Sequence, residues 1–386
     1  MNRRFAGSSL LVLLLAFFLA ACETTDKKLE PAELASLDEE VGLNTLWTRR
    51  LWGGLGEYYH QFSLAVDDDS LYAANEKGGV FRIDKITGKK IWKASLDVPL
   101  TCGVAVDSER VFVCTRDGAV IALRKDAGNQ VWTVRIPSEV VSAPVVSGNH
   151  LVLVAANGMV FDLDTADGKQ RWRYDAVMPA LSLRGNSRAA FFQDFVAVGQ
   201  SNGKLAVLDL ETGQLRWDPK VAVPQGESDI ERIVDVDGAP LFQDEKLFAA
   251  SFQGRVVAYD LKTGRLLWAE EESSYRSLAT GSGNLYVTGE NSQITAYDLA
   301  SGEIRWVDES FLRRKLTAPV VVGEYLAVAD FEGYIHLLSQ VDGRVVSRAR
   351  VAWEPVKTDI LADGEKFYVI ADNGKIKAFT VAAEER

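Results

Sequence analysis

The sequence predicts an all-β fold, an eight-bladed β-propeller of four-stranded antiparallel blades, and three observations carry that expectation. A turn glycine recurs at Gly78, Gly118, Gly158, Gly203, Gly254, Gly333 and Gly374, with Ser292 in the sixth repeat. A second glycine follows ten residues later, from Gly88 to Gly343. Four residues beyond it, six repeats carry Trp92, Trp132, Trp172, Trp217, Trp268 and Trp306. Intervals between the first glycines run 40, 40, 45, 51, 38, 41 and 41 residues. That is the length of four short strands with their turns.

Within a repeat, each element has a local cause. Residues 71–74 are rich in strand formers, residues 75–79 break the run, residues 80–83 form the next strand, and Thr87-Gly88 turns the chain again. Glycine at both breaks supplies the backbone angles that tight hairpins require. Two and five residues past the first glycine every repeat is apolar, from Val80 and Ile83 to Ile376 and Phe379. No helical stripe competes with this alternation. A tryptophan at one fixed offset is expected to pack each blade on its neighbour and stabilise by a few kcal/mol (roughly 2–4). Ser347 stands at the tryptophan position of the seventh repeat, so a softer junction is expected there.

The eighth repeat ends before its last strand, and Thr45-Leu46-Trp47-Thr48 has the composition to supply it. Pairing those residues with 375–380 closes the ring and covers an edge. The propeller is therefore placed at 44–381. Seven blades with a cap is the alternative.

Residues 1–21 are expected to be a signal peptide: Arg3 and Arg4 precede an apolar run that ends Leu19-Ala20-Ala21 before Cys22. The Leu-Ala-Ala-Cys motif resembles a bacterial lipobox, which implies lipid on Cys22. Glu23 after the cysteine implies sorting to the outer membrane, with the chain anchored there and facing the periplasm. Residues 22–43 read as an acidic tether, with a helical turn near 31–37. The formal net charge is −11 and grows more negative once Arg3 and Arg4 are removed. That argues against nucleic acid or anionic lipid as the main partner. Cys102 and Cys114 lie on two runs joined by a turn, where a disulfide and two small buried residues are both open readings.

Function is sought where the repeat is irregular. The two longest intervals follow Trp172 and Trp217, so two enlarged links between consecutive blades adjoin on one face. Repeat proteins carry binding sites on such insertions. The first holds Met178-Pro179-Ala180-Leu181-Ser182-Leu183-Arg184-Gly185, and the second holds spaced carboxylates that end Asp235-Val236-Asp237. Apolar anchors ringed by charge suit a protein partner. Alternatively the leucines are core, and Arg184 pairs internally with Asp235 or Asp237.

The repeats resemble quinoprotein-type propellers. Together with the lipobox, the Leu-Ser-Leu-Arg-Gly loop and the Asp-Val-Asp segment, the whole mature chain resembles the BamB family, lipoprotein subunits of the outer-membrane β-barrel assembly machinery. The resemblance implies a non-enzymatic protein that docks on the periplasmic POTRA domains of BamA and helps nascent outer-membrane proteins fold and insert. Carried over by motif, Leu181, Leu183, Arg184, Asp235 and Asp237 are the partner contacts. The alternative is a quinone (PQQ)-dependent dehydrogenase, or a periplasmic propeller binding a ligand in its channel. Such dehydrogenases resemble one another in adjacent cysteines and a calcium site, and neither pattern is written here. His60, His150 and His336 fall at unrelated repeat positions, and no nucleophile elbow or phosphate loop occurs. No cofactor or metal is expected.

Overall fold

A computed structural model describes residues 30–56, 61–140, 142–179, 181–183 and 187–382. The signal segment, Cys22, His60 and Arg184 lie outside the described residues. The chain divides into an N-terminal unit, Met1–Pro31, and a second unit, Ala32–Arg386.

The second unit is a ring of eight antiparallel four-stranded sheets, and no helix occurs among the described residues. Strands are lettered A to D outward from the axis. Blade 3 comprises Val145–Ser147, His150–Val154, Val160–Asp164 and Gln170–Tyr174. Blade 4 comprises Ala190–Phe192, Phe195–Gly199, Leu205–Asp209 and Leu215–Trp217; blade 5 begins with Leu241–Gln243. Blade 7 comprises Val320–Val322, Tyr325–Ala329, Tyr334–Ser339 and Val345–Arg350. Blade 8 comprises Leu361–Asp363, Lys366–Ile370 and Lys375–Val381, completed by the N-terminal strand Leu43–Arg50. In that pair Thr45 lies opposite Phe379 and Thr48 opposite Lys377, so the ring closes through the strand expected to close it. One addition was not anticipated: Gln61–Phe62 joins strand A of blade 2, Leu100–Val106, in parallel.

The core follows the repeat. Both apolar series are buried in all eight blades, from Val80 and Ile83 to Ile376 and Phe379. The tryptophans lie at the junctions. Trp172 Nε1 donates to the Leu210 carbonyl of the next blade at 2.7 Å, and Trp47, Trp92, Trp132, Trp268 and Trp306 make the equivalent bond. The second glycine explains itself here, because a Cβ on Gly213 would approach the Trp172 ring to 2.5 Å. Trp217 departs from this pattern. It meets Tyr259 edge-on at 5.2 Å, where most repeats have a smaller aliphatic residue.

Two turns depart from the glycine rule. Ser292 itself adopts φ 70, and in blade 5 the positive angle falls on Gln253 (φ 47) instead of Gly254. A side chain at either position carries a left-handed strain that glycine avoids.

The stretch expected to be a loose tether is held to the ring from Ala32 onward, and the expected helical turn is not formed. The Ala32 amide donates to the Leu312 carbonyl, and the Glu40 and Val41 amides donate to the Val346 carbonyl. Arg314 is buried between Asp330 and Glu332, and its Nη1 donates to the Ala32 carbonyl at 2.9 Å. Arg348 Nη1 donates to the Ala35 carbonyl. Val41 enters the core shared by blades 7 and 8. Thus the one junction whose tryptophan is replaced by serine is covered by this N-terminal strap. Ser347 is fully buried beneath it, with an unpaired hydroxyl.

Candidate functional site

The two enlarged links are D-to-A connections of adjoining blades. Residues 175–189 join blades 3 and 4, and residues 218–240 join blades 4 and 5. Both stand on the face that also carries the B–C turns, because each D strand ends where the next A strand begins.

The first link runs over the B–C turn of blade 3. Met178 lies on Gly158, where a Cβ would meet its sulfur at 2.4 Å. The second link starts along the B–C turn of blade 4, with the Val221 and Ala222 amides on the Gly203 carbonyl. Its outermost part, residues 223–232, is exposed and folds on itself. The Glu231 carboxylate accepts from the Glu227 and Ser228 amides, as in a capping box. This holds the Glu231 carboxyl below its ordinary range. The chain then returns inward through residues 233–237, wedged between the B–C turns of blades 4 and 5. The Val236 amide donates to the Gln200 carbonyl, and the Phe252 amide to the Asp235 carbonyl. Gly199 is required beneath this wedge, since the Val236 carbonyl would lie 2.1 Å from any Cβ there.

Hydrogen bonds lock the two links together, among them Ser187 Oγ donating to the Gly238 carbonyl at 3.2 Å. The Leu183 amide donates to Asp235 Oδ2 at 2.6 Å. Asp235 is fully buried, which differs from its expected place as an exposed partner contact. The reason is visible in its neighbours: Ile233, Val234 and Val236 are buried around it, so the segment is a packed wedge rather than a loop tip. Asp235 is a brace that positions Leu183. Burial pushes its carboxyl up to about 6, opposed by the Leu183 amide. Asp237 is partly exposed, and burial followed by repulsion from Asp235 pushes its carboxyl up to about 7.

Leu181 and Leu183 are each 44% exposed, on the outer surface. Val177, Val223 and Ile230 are also exposed on the same two links. Composition alone did not single out these three; their signal was only their place in the long intervals. The two links thus present exposed apolar side chains, with Asp235 buried beneath Leu183. Arg184, expected to complete it, lies outside the described residues.

The remaining chemistry is local. His150 bonds Asp162 at 2.7 Å and Glu211 at 3.3 Å, and His336 bonds Asp330 and receives the Arg348 Nε–H. Cys102 and Cys114 are register partners on adjacent strands, buried and present as free thiols. Burial, then the neighbouring sulfur, drives the Cys102 thiol well above its ordinary range. Among the described residues no three histidine, cysteine or carboxylate side chains form a group able to hold a metal ion.

Residues 76–308 match the family model described as outer membrane protein assembly factor BamB. The protein of that name from Pseudomonas aeruginosa is 46% identical over 371 residues, spanning 96% of this chain and 98% of its own. The crystal structure of BamB from Moraxella catarrhalis superimposes with a TM-score of 0.81 at 27% identity, covering 88% of this chain and all of that one. Quinohemoprotein alcohol dehydrogenase from Comamonas testosteroni gives a TM-score of 0.71 at 14% identity, covering 89% of this chain and 77% of its own. The last likeness is one of fold.

Proposed function

This chain belongs to the BamB family of outer membrane protein assembly factors, and we propose that it acts as a docking subunit within the outer-membrane β-barrel assembly complex. Its partner in this reading is BamA, engaged through the periplasmic POTRA domains. The protein is held at the outer membrane by lipid on Cys22 and assists the folding and insertion of barrel proteins. Its role is non-catalytic, in keeping with the name its relatives carry.

The observation that supports this reading is the brace between Leu183 and Asp235. A buried carboxylate that caps a loop amide fixes two neighbouring links in one arrangement and leaves Leu181 and Leu183 facing outward. Pre-ordering a loop before association lowers the entropy lost on binding. A few residues buried near the centre of an interface carry most of its binding energy, and Arg184 is of the type enriched among them. Leu181, Leu183 and Arg184 are the direct contacts in this reading. Asp237 is a margin charge, and Asp235 acts through Leu183.

The test is affinity capture from detergent-solubilised outer membranes, with co-purifying proteins identified by mass spectrometry. BamA is expected with the wild-type chain and at least about tenfold less of it with Leu181→Asp/Leu183→Asp, a loss of about 1.4 kcal/mol or more. Equal recovery from both would refute the site.

A further inference from the structure

We propose that the outer rim of blades 7 and 8 rests against the headgroup layer of a phospholipid bilayer containing anionic lipid. Seven of the nine tryptophans sit at or near blade junctions; the other two, Trp52 and Trp353, are 77% and 80% exposed. They flank one turn. The chain around Trp353 bonds that turn from one side, through the Asp372 amide on the Pro355 carbonyl. The chain around Trp52 bonds it from the other, through the Leu51 amide on the Gly374 carbonyl.

Between the two indoles lies a row of cations. The Arg350 guanidinium is stacked 3.9 Å from both the Tyr334 and Trp353 rings. Lys377 Nζ donates to the Arg350 carbonyl at 2.7 Å. Lys375 is directly opposite Arg50 in the closing strand pair, and Arg50 lies over Trp52 at 5.5 Å. Among the described residues none of these four cations has a carboxylate within ion-pair distance. The nearby acids are engaged elsewhere: Glu332 with Arg314, Glu354 with Asn373, and Asp372 with Lys357. Like charges facing each other across a strand pair oppose folding. In a chain of net charge −11 this unneutralised row is therefore a local exception that an external anion would relieve.

The bilayer is the occupant for two reasons. Exposed indoles beside cations match the chemistry of a membrane interface, where tryptophan settles at headgroup depth and basic residues meet anionic lipid. The strap also enters the fold here, at Ala32 and Ala35 on blade 7. Ala32 lies ten residue steps past Cys22, which span at most about 36 Å when fully extended. The proposal rests on lipidation of Cys22, which keeps this rim, rather than that of blades 3–5, close to the bilayer. Overall negative charge makes the contact weak without such a tether, which supplies it with a high effective concentration.

The experiment places the full lipidated chain in vesicles of phosphatidylethanolamine and phosphatidylglycerol, with or without acyl-brominated lipid that quenches tryptophan. Flotation is measured first, then fluorescence. Bromolipid is expected to quench the wild type, at least threefold less the Trp52→Phe/Trp353→Phe variant, and at least twofold less Arg50→Glu/Lys375→Glu. Salt or pure phosphatidylcholine is expected to reduce the effect. A chain that floats with vesicles yet shows the same emission with and without bromolipid overturns the rim contact alone. A chain that does not float overturns the anchor with it. If polyglutamate perturbs the two indoles and lipid does not, the rim serves an acidic polypeptide and the bilayer proposal fails.

Discussion

Blades 4 and 8 lie opposite each other in the ring, and each marks a different way of departing from the repeat. Around blade 4 the junction tryptophan is kept and residues are added after it. Around blade 8 the preceding junction has Ser347 in place of tryptophan, and the N-terminal strap covers it. Of the added acids, Glu227, Asp229 and Glu231 stay exposed while Asp235 turns inward as a brace, and burial raises the Asp235 and Asp237 carboxyls. On the strap side Arg50, Arg350, Lys375 and Lys377 have no carboxylate within ion-pair distance among the described residues, while Arg344 pairs with Glu40 of the strap. The comparison teaches that a repeat tolerates insertion without loss of its packing, provided the insertion pairs with its neighbour. Loss of a packing residue instead requires a segment from elsewhere in the chain.

The largest expected effect that sharpens this contrast is on stability. Trp172→Ala removes the ring that packs on Gly213 and the Leu210 carbonyl, at a cost of about 3–5 kcal/mol. Chemical denaturation followed by far-ultraviolet circular dichroism measures it. An effect below about 1 kcal/mol would show that the insertion, and not the tryptophan, holds blades 3 and 4 together.

Asp235→Ala comes next. It strips the Leu183 amide of its acceptor, for about 1–3 kcal/mol. Partner capture falls with it although residue 235 touches nothing outside. Asp235→Asn keeps an acceptor oxygen at the same place and is expected to restore capture. Equal losses in both variants would instead make the charge itself the contact.

The pH dependence separates the two regions further. Burial raises Asp237 to about 7, above its unfolded value near 3.9. The folded state therefore binds more protons than the unfolded chain in that range. The stabilisation belonging to this group is fully present at low pH and is lost as pH rises from about 4 to about 7. Asp237→Asn should flatten that share of the melting-temperature profile between pH 5 and 8. If an ionised Asp237 meets a partner cation, capture should move the other way and weaken on acidification below about 7. A wild-type profile that superimposes on that of the variant would place Asp237 outside the linkage.

Ser347→Ala is expected to have the smallest effect. The Ser347 hydroxyl is buried and unpaired, so its removal is neutral or slightly stabilising, within about 1 kcal/mol. A marked destabilisation in the same denaturation assay would mean that the hydroxyl holds the strap.

Much of the fold was legible because its causes are local. A glycine beneath a tryptophan leaves a mark at fixed spacing, and Trp47 showed the ring's closing strand even though no complete repeat surrounds it. Less was legible where packing is long-range. Ser292 marked in the sequence a turn without its glycine, but nothing marked Gln253 as taking the left-handed angle beside Gly254. Residues 32–42 have no periodicity, and their course is set by residues distant in sequence, among them Leu312, Arg314, Arg344, Val346 and Arg348. In the candidate site, interval length exposed both links and their face. Alternation of apolar and acidic residues did not distinguish a rim from a wedge. Burial of Asp235 depends on two neighbouring turns that are distant in sequence.

The most direct measurement places a photo-crosslinking residue in turn at Leu181, Leu183 and Trp353 of the lipidated chain in intact outer membranes. BamA is expected in crosslinks from positions 181 and 183, and not from 353. Crosslinks to BamA from position 353 alone, or equally from both sides of the ring, would contradict docking through the two braced links.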